Sequence, residues 1–180
     1  MITDQERDTA IALLIRSRQT FLDAIDGVSE TQARWHSEPE RWTILEYVEH
    51  IAVSDDALIA RVKQSLAETP REETPDERAA REAKIRATPM PRGVNKAPEN
   101  LKPTGRFASL PEATAAFLAA RERTLEYART TDANLRAHFF NHSVLGALDG
   151  YQWLVANARH ADLHAGHIKE IRAAAGFPAE

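Results

Sequence analysis

The chain has 180 residues, 43% hydrophobic and 28% charged, which suits a single soluble domain with a sizeable core. Its net charge of −4 offers no basic face for nucleic acid. It contains no cysteine, which excludes disulfides, iron–sulfur clusters and a thiolate nucleophile on the protein. Any bound metal must therefore rest on His, Asp or Glu, a donor set that suits zinc, nickel, iron or manganese.

The N-terminus, Met1-Ile-Thr-Asp-Gln-Glu-Arg-Asp, is polar and acidic rather than a signal peptide. No apolar run reaches membrane-spanning length. The expected setting is cytoplasmic, with no membrane and no nucleic-acid partner.

Helix one is predicted from Asp4 to Ile25, opened by the capping box Thr3-Asp-Gln-Glu6 and stopped near Gly27. Its apolar face is Ile11, Leu14, Phe21 and Ile25, at helical spacing. A polar connection from Ser29 to Arg41 leads to helix two. That helix opens at Thr43-Ile-Leu-Glu46 and is predicted to run to Thr69, before Pro70. Ile44, Val48, Ile51, Leu58 and Val62 form its buried stripe, and Asp55 falls on the same stripe.

Residues 70–109 hold six of the nine prolines. A charged helix with little to bury fits 76–87, followed by irregular chain over 88–106. A connection this long in a compact domain needs a reason. Here it would let helices two and three run parallel, as in bundles that are not simple up-and-down. It could also form a lid over the bundle mouth.

Helix three begins at Ser109-Leu-Pro-Glu112 and reaches Thr130. Residues 134–150, with Phe139, Phe140, Gly146 and Gly150, read as a packed loop. Helix four starts near Asp149 and ends at Gly176-Phe-Pro178. No alternating strand pattern appears anywhere. The expectation is an all-α fold, a four-helix bundle in one domain over 1–180.

Helix four carries the chemistry. Steps of four and three give the seam Trp153, Asn157, His160, His164, His167, Ile171 and Ala174. That seam should face the core, yet its middle is polar. Buried polar groups need partners, and His160 and His164, one turn apart, can reach one ion from the same side. Hydrogen-bonded core histidines would look the same from this helix alone. Metal sites in bundles draw side chains from facing helices, and helix two offers His50. Three histidines would leave coordination positions open, as a catalytic metal requires.

Trp42-Thr-Ile-Leu-Glu-Tyr-Val-Glu-His50 resembles the W-S-x-x-E-x-x-x-H opening of the second helix in the DinB family. His160-Ala-Asp-Leu-His164-Ala-Gly-His167-Ile is similar to that family's closing H-x-x-x-H-x-x-Q/H-I. His142-Ser-Val-Leu-Gly146 and the run from Gly146 to Trp153 resemble its H-P-x-x-G and G-x-L-x-x-x-Q-W-L segments, with Ser143 departing from the usual proline.

The resemblance implies the DinB/YfiT-like bundle with an up-down-down-up order. It also implies one divalent metal on His50, His160 and His164, and a possible homodimer. Family activities include thiol transferases and an isomerase that use a low-molecular-weight thiol such as bacillithiol or mycothiol. The YfiT-like subgroup implies metal-dependent hydrolysis. His167, where many members carry Gln, leans toward that subgroup.

Asp55 and His167 are the candidate catalytic residues, Asp55 as a base or as a partner behind a ligand, His167 as a proton shuttle or fourth ligand. Glu46 could orient His50, but its place in the capping box is the simpler role. Three function classes follow, each acting on a small molecule where it acts at all: a metal-dependent S-transferase, a metal-dependent hydrolase, and a non-catalytic bundle. An open cavity beside the histidines would separate the first two from the third.

Overall fold

The computed structural model describes residues 1–88 and 97–179. Four long helices make the body: α1 (Asp4–Ile25), α3 (Ile44–Ser65), α5 (Leu110–Thr130) and α6 (Gly150–Arg172). Two shorter ones, α2 (Glu30–Ala33) and α4 (Pro75–Ala87), lie in the connections. Thr3, Thr43 and Asp149 close full capping boxes on α1, α3 and α6. Ser109 caps α5 from its side chain, whereas Glu112 turns back to accept from the Ala108 N–H at 2.7 Å, so that box is not reciprocal.

The direction of each helix follows from its partners. One core cluster joins the end of α1 (Phe21, Ile25), the starts of α3 and α5 (Ile44, Leu110, Phe117) and the end of α6 (Ile168, Ile171). The other joins the start of α1 (Ala10, Leu14), the ends of α3 and α5 (Val62, Leu125) and the start of α6 (Tyr151, Leu154). So α1 and α6 run together, and α3 and α5 run together in the opposite sense. The order is up-down-down-up, and the parallel pair α3–α5 requires the long crossover between them.

Several local expectations are corrected. Helix α3 stops at Ser65, not Thr69, because its last carbonyls fold into tight turns over residues 66–68. Helix α6 stops at Arg172, and Gly176 takes φ +84° in the turn that follows. The Ser29–Arg41 connection contains α2, capped by Ser29 and Gln32.

The packed loop contains a hairpin, β1 (Phe139–His142) against β2 (Gly146–Asp149), in antiparallel register Phe139↔Asp149 to His142↔Gly146. Strand pairing here rests on the turn, with Gly146 at φ +80° closing a three-residue loop. Side-chain alternation over four residues is too short to read. Helix α4 is highly charged but not idle. Ile85 is buried in the second core cluster, and Arg81 Nη1 donates to the Ala147 carbonyl at 2.8 Å, docking α4 on the hairpin. Residues 89–96, part of the stretch expected to be irregular, lie outside the described residues.

Candidate metal centre

Helices α3 and α6 cross antiparallel, and the crossing brings His50 against His160 and His164. His160 Nε2 lies 3.2 Å from His50 Nε2 and 2.9 Å from His164 Nε2. The ligand atoms of all three fall within 4.8 Å of one another. Nitrogens bound about 2.1 Å from one ion at right angles would sit about 3.0 Å apart, and at tetrahedral angles about 3.4 Å apart. The observed spacings match a facial three-nitrogen set.

The hydrogen-bond chemistry fits a cation as well. His50 Nδ1 lies 2.8 Å from the Leu101 carbonyl. A carbonyl only accepts, so Nδ1 carries the proton and Nε2 presents a lone pair to the centre. His160 Nε2 can donate to one neighbour at most. At least two lone pairs therefore converge on the same spot, which a divalent ion would satisfy.

Burial pushes the His50 imidazole below its ordinary value against the Leu101 bond, and pushes His160 and His164 well below it, with the neighbouring histidines adding to the effect. All three rings are thus neutral at neutral pH, the form that ligates metal. Trp42 and Tyr47 pack on His50 and His164 with ring centroids 4.9 and 5.1 Å away.

The other candidates stand around this cluster. His167 Nδ1 lies 3.3 Å from His164 Nδ1, on the side of the His164 ring away from the shared Nε2 atoms. It thus contacts a cluster histidine and also borders the adjoining cavity. Asp55 is 1% exposed and holds a two-pronged ion pair with the fully buried Arg121, at 2.7 and 3.1 Å. Arg121 also donates to Ser17 Oγ at 3.0 Å. Burial pushes the Asp55 carboxyl up, opposed by Arg121 and by the Asn157 side chain. Asp55 does not line the cavity; Asn157, beside it, does. Glu46 accepts the Thr43 N–H at 2.7 Å and serves the cap.

Two residues not singled out from sequence matter here. Leu101, in a short 3-10 turn over Glu99–Leu101, supplies the carbonyl that orients His50. Glu49, 2% exposed, accepts backbone N–H bonds from Thr104, Gly105 and Arg106 at 2.7–3.1 Å. It ties the end of the crossover to α3. A carboxylate next to His50 on the buried side of α3 was the available signal, but the carbonyl had none.

A cavity of about 730 Å³ opens from the three histidines. Trp42, Tyr47, Leu101, Trp153 and the hairpin residues 142–145 shape it. Among the described residues of the crossover, Ala97, Pro98, Leu101 and Lys102 border it, and α4 contributes no lining residue. His142 is half-buried on its wall. Its Nδ1 accepts the N–H groups of Val144 and Leu145 at 3.0 and 3.1 Å, which leaves Nε2 as the protonated donor. Burial, with Arg61 and Arg159 nearby, pushes His142 down to about 4.

The DinB superfamily model matches residues 13–168. The chain belongs to the DinB superfamily. Its fold is similar to that of YfiT from Bacillus subtilis, a probable metal-dependent hydrolase with an unusual four-helix bundle topology, at TM-score 0.62 and 21% identity over 96% of this chain and 89% of that one. It is also similar to TT2238, a four-helix bundle protein, at TM-score 0.61 and 21% identity over 91% of this chain and 98% of that one. No curated protein gives a significant match. Among the described residues, no helix of this DinB-superfamily chain is long and apolar enough to cross a membrane.

Proposed function

We propose that this chain is a metal-dependent enzyme in which His50, His160 and His164 hold one divalent ion, zinc, nickel, iron or manganese, to activate a thiol or a water. The observation that carries the reading is the convergence of three neutral Nε2 atoms, 2.9 and 3.2 Å apart along the set, at the floor of a large cavity. A divalent ion held by neutral imidazoles keeps its charge and brings a bound thiol or water toward ionisation near neutral pH.

The chain's own residues do the rest. Leu101 and His167 set the orientation of His50 and His164 through their Nδ1 atoms. Trp42 and Tyr47 cover the cluster with aromatic surface and keep water from its sides. The cavity leaves room for a low-molecular-weight thiol beside an acceptor, which favours S-transfer.

Hydrolysis is the second reading, favoured by the likeness to YfiT. His167 then serves as the proton carrier next to His164, while Asp55, paired with Arg121 and off the cavity wall, acts on no substrate.

The deciding experiment is elemental analysis of protein purified without an affinity tag, repeated on His164→Ala. About one metal per chain, lost in His164→Ala, His160→Ala and His50→Ala but kept in His36→Ala, is the expected result. Loss of free thiol with an electrophile, against release of p-nitrophenol from its acetate ester without thiol, then separates transfer from hydrolysis. Absence of metal from the parent protein after incubation with zinc, nickel or manganese would defeat the reading.

A further inference from the structure

The charges around the cavity do not cancel. At its rim, Arg41 pairs with Glu38 at 3.4 Å and Lys102 with Glu99 at 2.6 Å. Glu40 also borders the cavity, and it is exposed. Arg61 and Arg159 also line the wall, and among the described residues neither has a carboxylate partner. The Arg61 guanidinium lies 5.7 Å from the centroid of the Trp153 ring. Arg159 spends one Nη on the Thr88 carbonyl, while its other Nη is buried with no hydrogen-bond partner.

The His142 ring stands 5.1 Å from Trp153, the same ring that the Arg61 guanidinium faces, and Arg159 lines the same cavity. The three groups therefore form one patch. Ser54, also on the cavity wall, has a buried hydroxyl without a partner. The fully engaged arginines Arg121, with Asp55, and Arg136, with Glu6, Glu82 and Asp149, show the contrast. Two half-buried guanidinium groups left uncompensated beside a neutral imidazole donor are the chemistry of an oxyanion seat.

We infer that the substrate carries an oxyanion, a carboxylate or a phosphate, which Arg61 and Arg159 seat with the Nε2–H of His142 while its reacting end lies at the three histidines. This rests on the reading of the histidine cluster as a metal centre. It adds the substrate class: an anionic small molecule with its charge set apart from the reacting group.

Calorimetric titration of the full chain with inorganic phosphate, and separately with succinate, tests it. The proteins are the parent, Arg61→Gln, Arg159→Gln, Arg61→Lys and His164→Ala, each with its metal content measured. Each glutamine variant is expected to weaken anion binding by about tenfold or more, with metal content unchanged and Arg61→Lys recovering part of the loss. His164→Ala should lose metal and keep anion binding. Tighter binding of phosphate supports a phosphate ester, and tighter binding of succinate a carboxylic acid. No saturable binding of either anion to the parent protein would overturn the inference. So would binding in both glutamine variants as tight as in the parent protein. Binding lost in His164→Ala but kept in the arginine variants would put the anion on the metal; that overturns the seat and leaves the metal centre standing. Arginine-dependent binding in a chain that takes up no metal would do the reverse.

Discussion

An imidazole that is to hold an ion needs a partner on its far nitrogen, because a ring free to turn gives an ion no fixed lone pair. His50 has the Leu101 carbonyl and His164 has His167. His167→Ala should therefore keep one metal per chain but weaken its affinity by about 10–100-fold, measured by competition with a chromogenic chelator. His167→Gln, which can keep a hydrogen bond to His164, should lose less. Equal affinity in parent and His167→Ala would show that His167 does not orient the cluster. Asp55 behaves differently. Its charge is held by Arg121 inside the core, so Asp55→Ala leaves a buried guanidinium without a carboxylate and should cost about 3–5 kcal/mol of stability, read from urea unfolding. Metal content at low temperature, where the variant is folded, should be unchanged.

Among elements, the crossover and the hairpin do the positioning. The end of the crossover would be loose chain over α3 if Glu49 did not collect three of its backbone N–H groups. That anchor sits a few residues beyond Leu101, and Leu101 orients His50. Glu49→Ala should lower stability by about 1–3 kcal/mol and weaken metal binding, although Glu49 touches no ligand. Unfolding in urea and a zinc titration on the same protein check both effects; a stability loss with unchanged zinc affinity would sever the crossover from the site. At the other end of the cavity the hairpin presents His142. Gly150 lets α6 start hard against Leu135, where a Cβ would come within 3.0 Å of the Leu135 side chain and 3.3 Å of its carbonyl.

At the scale of the whole molecule, charge networks join the start of α1, α4 and the hairpin. Arg136 bridges Glu6, Glu82 and Asp149. The Glu6 carboxyl is held below its ordinary value: burial pushes it up, but the Thr3 backbone bond and Arg136 together outweigh that. The unfolded chain then binds more protons than the folded one as pH drops through the ordinary carboxylate range. The stability from Glu6 is full above that range and is lost as pH falls through its lowered folded value. Melting temperatures from pH 7 to pH 3 should fall, and less steeply in Glu6→Gln than in the parent. Parallel slopes would remove Glu6 from the acid response.

What the sequence determined by itself is what local chemistry can determine. Capping residues and apolar spacing marked α1, α3, α5 and α6, because a helix start needs side-chain acceptors for its first N–H groups and a buried face repeats every three to four residues. The polar middle of the α6 seam marked a candidate site, since His160 and His164 are neighbours on any helix that contains both. The length of the 70–109 connection pointed to the parallel pair. The hairpin, the end of α3, the Leu101 carbonyl and the Arg61–Arg159 patch were decided only by tertiary structure. Each depends on groups far apart in the chain, or on backbone atoms that every residue possesses. His167 and Asp55 show the same limit: their positions on inward faces were legible, but the ring of His164 and the guanidinium of Arg121 that meet them come from packing, which no spacing along one helix records.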